Sequence, residues 1–181
     1  MLHPNDRHRD AVDEIVLVDA DDAPLGTMPK LEAHQRGLRH RAVSVIVRDV
    51  QGRMLLQRRA AVKYHSGGLW TNTSCSHPRP SEDTRDAAIR CLADEMGIRC
   101  ALAPLFTTNY RAEVSHGLIE DELVHAFSGT FDGAPDPDPT EVADWAWKAP
   151  AEVAREIAEE PGKYTPWFRI YCRDFWGVMT R

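Results

Sequence analysis

Residues 42–59, AVSVIVRDVQGRMLLQRR, hold two apolar, β-branched-rich runs at 42–49 and 53–59, with a Gln-Gly turn between them. They read as a β-hairpin. No crossover helix follows it. Residues 60–80 are instead rich in Gly, Ser, Thr, Asn and His, and so long a connection in a compact domain is usually functional. A helix is expected only after it, over 82–96, with Ser81 or Asp83 to cap it and Gly97 to stop it. Further strands are expected at 14–20, 99–106, 107–114, 119–128 and 142–148, with DDAPLG as the turn after the first. DGAPDPDPTE at 132–141 cannot be regular structure, because its alternating prolines remove donors and fix φ. Residues 150–159 form an amphipathic helix, and a Pro break then opens an aromatic-rich final helix. Strands without regular βαβ alternation predict an α+β fold, one compact domain over 13–181 with mixed or antiparallel sheets packed against helices. Residues 1–12 are expected to be disordered.

The chain has 181 residues, 43% hydrophobic and 28% charged, which suits one globular domain with a sizeable core. Its net charge of −6 disfavours binding to nucleic acid or anionic membranes. An anionic ligand would need a local basic cluster or a metal. The start, MLHPNDRHRD, has no apolar h-region, and no run is long enough to span a bilayer. A cytoplasmic location with reduced thiols is the expectation. Cys75, Cys91, Cys100 and Cys172 match neither a metal-binding nor a disulfide spacing.

Three carboxylates stand where burial threatens. Glu95 falls on the helix face of Ala88 and Cys91, where it needs a cation or a salt bridge at the edge of the stripe. Glu120 and Glu122 share one face of a strand with Val124 and Ala126, while Asp121, Leu123, His125 and Phe127 share the other. Two like charges on one face repel each other unless they point to water or hold a cation. If His34, His40 and His77 converge on the pair, three imidazoles and two carboxylates make a five-ligand site. That set suits Mn²⁺, Mg²⁺ or a five- to six-coordinate Zn²⁺ better than tetrahedral zinc.

From Ser76 the chain reads SHPRPSEDTRDAAIRCLADEMGI. This resembles the Nudix signature, with Glu82, Arg90, Leu92, Glu95, Gly97 and Ile98 in register. Ser76 replaces the first Gly, Cys91 the Glu after Arg, and Asp94 the first of the paired Glu. The loop–helix–loop frame is kept and the acidic set is thinned. KLEAHQRGLRHRAVSV, LLQRRAAVKYHSGGLWTNTSCSHP, the altered box, the EDE run, DPDPTEV and TPWFRIY follow in the order found in type I isopentenyl-diphosphate isomerases. The chain resembles that Nudix-fold family over about 14–176.

The resemblance implies isomerisation of isopentenyl diphosphate to dimethylallyl diphosphate, with a proton added at C4 and one removed from C2 on the opposite face. It implies Cys75 and Glu122 as the two acid/base groups, Tyr110 as a hydrogen-bonding or relaying hydroxyl, and Trp167 as an aromatic wall against a carbocation. Lys30, Arg59 and Lys63 would bind diphosphate, with Ser76 as an added donor. His34, His40, His77, Glu120 and Glu122 would hold Mn²⁺ (or Zn²⁺ or Mg²⁺), and Glu95 a Mg²⁺ bridging to the substrate. The partner is a small prenyl diphosphate, with the chain a monomer or weak homodimer. A Nudix pyrophosphohydrolase and a non-catalytic metal-stabilised module are the competing readings. The first would want the signature's glutamates at 91 and 94, where Cys91 and Asp94 stand instead, and the second leaves Cys75 unexplained.

Overall fold

The computed structural model describes residues 13–181, so the expectation for 1–12 lies outside the described residues. Among the described residues one mixed sheet has nine strands. They are β1 (Glu14–Val18), β2 (Pro24–Pro29), β3 (His40–Arg48), β4 (Met54–Arg59), β5 (Trp70–Thr71), β6 (Ser74–Ser76), β7 (Leu102–Glu113), β8 (Ile119–Thr130) and β9 (Val142–Lys148). The helices are α1 (Lys30–Arg36), α2 (Thr84–Met96), α3 (Pro150–Glu159), α4 (Pro166–Asp174) and α5 (Trp176–Met179). This is the expected α+β class. Among the described residues no helix is long and apolar enough to cross a membrane.

β3 organises the sheet. Ala42 and Ile46 enter one core and Val43, Val45 and Val47 the other, so both faces of the strand are buried. Such a strand belongs in the middle of a sheet. It runs parallel to β8 from His40↔Glu122 to Arg48↔Thr130. Its other edge takes β6, from Val43↔Ser76 to Val45↔Ser74. The expected hairpin is therefore closed only at its turn, where Arg48 faces Met54. β4 leaves to pair with β9 and β5. Residues 60–80 are not wholly irregular, since β5 and β6 lie within them.

Three other expectations change, and one helix, α1, has no counterpart among them. DDAPLG is only partly a turn: Asp19 Oδ1 accepts the Asp21 and Ala23 amides at 2.9 Å each, and Pro24–Pro29 runs on as β2. The strands expected at 99–106 and 107–114 are one strand, β7, whose alternation is broken by a bulge between Pro104 and Phe106. α1 is too short for its periodicity to be read, and it lacks a side-chain cap. The final helix breaks at Phe175 (φ −126°, ψ 15°) into α4 and α5.

α2 begins at Thr84, two residues after the expected start, with Asp83 rather than Ser81 as its cap. The Asp83 side chain accepts from the Arg85 and Asp86 amides, and Gly97 closes the helix at φ 66°. A Cβ at Gly97 would collide with the Asp136 carbonyl. α2 packs Ala87, Ala88, Leu92 and Met96 onto one sheet face, and α3 and α4 pack Val153, Phe168 and Tyr171 onto the other. Each large apolar side chain buried here contributes about 1.5–3 kcal/mol. The functional residues lie around β3, β6 and β8, between these layers.

Candidate functional site

The β3–β8 register sets His40 opposite Glu122. The two-residue period of β8 then turns Glu120 and Glu122 inward and Asp121 outward. Asp121 accepts Arg39 Nε at 2.8 Å and Arg111 Nη1 at 2.7 Å on that outer face. α1 delivers His34 from its last turn, and the chain leaving β6 delivers His77. One ligand atom from each of His34, His40, His77, Glu120 and Glu122 lies within 4.8 Å of every other.

The ring orientations follow from backbone contacts. His34 Nδ1 donates to the Lys30 carbonyl at 2.6 Å, and His40 Nδ1 to the Leu38 carbonyl at 2.8 Å. Each ring then presents Nε2 inward, as second partners of metal-binding histidines commonly arrange. His34 Nε2 lies 3.2 Å from Glu120 Oε2, and His77 Nε2 lies 3.0 Å from Glu122 Oε1. His40 Nε2 is buried, 3.6 Å from Glu122 Oε1, with no hydrogen-bond partner. Lone pairs thus face carboxylate oxygens in a buried space, and only a proton or a cation relieves that. Burial opposes a charged His40, yet contact with Glu122 outweighs it and raises its pKa. Burial takes His77 down to about 4. Burial pushes the Glu120 carboxyl up, but His34 and His65 hold it well below the usual range. At Glu122 burial and the Glu120 charge push upward, and contacts with His40 and His77 outweigh them. The donor set of three imidazole nitrogens and two ionised carboxylates fits a divalent cation.

Glu95 lies on the buried side of α2. Its carboxylate is held by neutral donors, Gln57 Nε2 at 2.7 Å and the Cys91 thiol at 3.4 Å. Burial, then the Glu141 charge, raises its pKa to about 7. A carboxyl so poised gains most from a cation, so this position also fits one.

A cavity of about 430 Å³ opens over both carboxylate groups. Cys75, Tyr110, Glu122 and Trp167 line it, as do Lys30, Arg59, Lys63 and Ser76. The Tyr110 hydroxyl donates to Glu122 Oε2 at 2.7 Å. Burial, then the Glu95 charge, pushes the Cys75 thiol up to about 12, so the group carries its proton at neutral pH. Trp167 is only 3% exposed, belongs to the core and also walls the cavity, with the Arg59 guanidinium 5.3 Å from its ring centre. Lys63 Nζ is 2.6 Å from Glu141, and Lys30 lies 5.1 Å from the Tyr64 ring centre.

One residue at the site was missed in the sequence. His65 Nε2 lies 2.9 Å from Glu120 Oε1. Its only sequence signal is its place in the polar 60–80 stretch, two residues after Lys63.

Residues 38–168 match the NUDIX domain family, so fold and site together place the chain in that class. Among solved structures, a Deinococcus radiodurans protein is similar with a TM-score of 0.75 at 17% identity, covering 90% of this chain and 99% of that one. A MutT protein from Methanosarcina mazei is similar with a TM-score of 0.63 at 16% identity, covering 79% and 96%. At such identities the likeness concerns the fold alone. Curated relatives are much nearer. An isopentenyl-diphosphate Delta-isomerase from Pectobacterium atrosepticum is 46% identical over 166 residues, covering 90% of this chain and 93% of its own. One from Burkholderia multivorans is 49% identical over 156 residues, covering 86% and 89%. Within the NUDIX class the chain belongs to the isopentenyl-diphosphate Delta-isomerases, a family of enzymes.

Proposed function

We propose that this chain, as a single isomerase domain over 13–181, interconverts isopentenyl diphosphate and dimethylallyl diphosphate. The observation that supports it most is the meeting of Cys75 and the Glu122–Tyr110 pair on one cavity rimmed by Lys30, Arg59 and Lys63. In that reading the cations and Ser76 hold the diphosphate and the five-carbon chain lies against Trp167. The isomerase names of the curated relatives favour the same substrate.

A proton added at C4 of isopentenyl diphosphate leaves a tertiary cation at C3. Loss of a proton from C2 then forms the C2–C3 double bond. One group must give a proton and another take one, on opposite faces. Cys75 is a thiol and Glu122 a carboxylate, so the pair holds one acid and one base; the reverse reaction exchanges the roles. An alkene is a very weak base, so the acid must be positioned and water excluded. The Trp167 indole face stabilises the cation by about 2 kcal/mol where desolvated. His34, His40, His77, Glu120 and Glu122 would hold Mn²⁺ (Zn²⁺ or Mg²⁺ in its place), and Glu95 a Mg²⁺ shared with the diphosphate. Bound there, these ions supply positive charge that neutralises diphosphate and tunes Glu122. The enzyme would act in the cytoplasm as a monomer or weak homodimer.

Hydrolysis is the less favoured chemistry. The positions that would load metal for it hold Cys91, whose thiol serves Glu95, and Asp94, 64% exposed and 4.0 Å from Arg90. Incubation with isopentenyl diphosphate, Mn²⁺ and Mg²⁺ in D₂O, followed by NMR, decides. Dimethylallyl diphosphate carrying deuterium is expected. Phosphate release without isomerisation would replace the proposal with a hydrolase.

A further inference from the structure

We propose that His65 is a positioning residue for Glu120: it fixes the oxygen that points away from the other histidines, and so aims the second oxygen at the cation. This inference rests on the metal reading above. His65 Nε2 is 2.9 Å from Glu120 Oε1. The other oxygen, Oε2, faces His34 Nε2 at 3.2 Å and His40 Nε2 at 3.9 Å. Anchoring one oxygen restricts the carboxylate's rotation before a cation arrives.

His65 is itself held on several sides. Its Nδ1 lies 3.3 Å from the Ser66 hydroxyl, which can donate to it and leave the ring proton on Nε2, facing Glu120. Ser66 sits in the left-handed region at φ 51°, a conformation that surrounding contacts must maintain. Its amide donates to Ser115 Oγ at 2.8 Å. The His65 carbonyl accepts Arg59 Nη2 at 3.3 Å. The ring stands edge-on to Tyr64 at 4.5 Å and to Trp167 at 5.8 Å. One buried residue therefore joins three parts of the site: its ring meets the carboxylate of the cation cluster and the Trp167 that walls the cavity, and its carbonyl holds the Arg59 that rims it.

The test is Mn²⁺ binding by the metal-stripped chain, read by calorimetry or by the spin resonance of free Mn²⁺, with a thermal melt of each metal-free variant. His65→Ala is expected to weaken Mn²⁺ about 10- to 100-fold, the usual effect of losing such a partner. His65→Gln places an amide N–H near the position of Nε2 and is expected to stay within about threefold of wild type. His65→Asn has the same polarity but falls short, and is expected to behave as Ala does. If His65→Ala fails to fold, the Gln–Asn pair alone decides. Wild type that binds Mn²⁺ while Ala binds within about threefold of it, or while Gln is no better than Asn, overturns the role of His65. Wild type that binds no Mn²⁺ overturns this role and the metal reading together.

Discussion

The two oxygens of Glu122 keep different company. Oε1 lies 3.0 Å from His77 Nε2, and Oε2 accepts the Tyr110 hydroxyl at 2.7 Å. The first contact ties the carboxylate to the cation cluster and the second aims it into the cavity. A hydrogen bond to a charged group is worth about 1.5–3 kcal/mol. Tyr110→Phe is therefore expected to lower kcat about 10- to 100-fold and leave KM nearly unchanged, as steady-state kinetics would record. A change confined to KM would move Tyr110 from the proton path to substrate binding. At this scale much could be read from sequence: the period of a strand separates Glu120 and Glu122 from Asp121, and the 100° step of a helix puts Glu95 on its apolar face. His65 could not be read in this way. Its partner is 55 residues away by numbering, and no periodic pattern connects a loop histidine to a strand carboxylate.

Among the elements, α3 is docked by one carboxylate. Glu156 takes Lys148 Nζ from β9, Lys163 Nζ at 2.9 Å and the Tyr164 hydroxyl at 2.7 Å. Burial would raise its pKa, but these donors outweigh it and hold the carboxyl at about 2. The group is depressed in the folded state, so its stabilisation is complete above the unfolded value near 4.5 and is lost as pH falls toward 2. With Lys163 35% exposed and screened by solvent, the contribution is on the order of 2 kcal/mol. Glu156→Gln is expected to flatten the fall in stability between pH 4.5 and 2, measured by urea unfolding at each pH. An unchanged slope would assign the acid sensitivity elsewhere. The elements that sequence missed share a physical cause. β5, β6 and α1 are too short to show a period, and β7 hides its continuity behind a bulge. The partner of β3 was missed because it is chosen by burial on both faces, which outweighs the nearby turn.

For the whole molecule, a cation that binds only the folded state stabilises it by mass action. At a Mn²⁺ concentration 100 times its Kd the gain is about 2.7 kcal/mol, or about 5–10 °C in Tm for a chain of this length. Thermal melts with Mn²⁺ and with excess chelator are expected to differ by that amount, and His34→Ala is expected to abolish the difference. An equal shift in that variant would place the ion elsewhere.

The parallel pairing of β3 with β8 also sets an order in time. Glu120 follows His34 by 86 residues, and ribosomes add about 5–20 residues per second. For roughly 4 to 17 seconds of synthesis the nascent chain carries His34 without the carboxylates it will meet. The centre has no local precursor: it comes into being only when the second half of the chain docks beside the first.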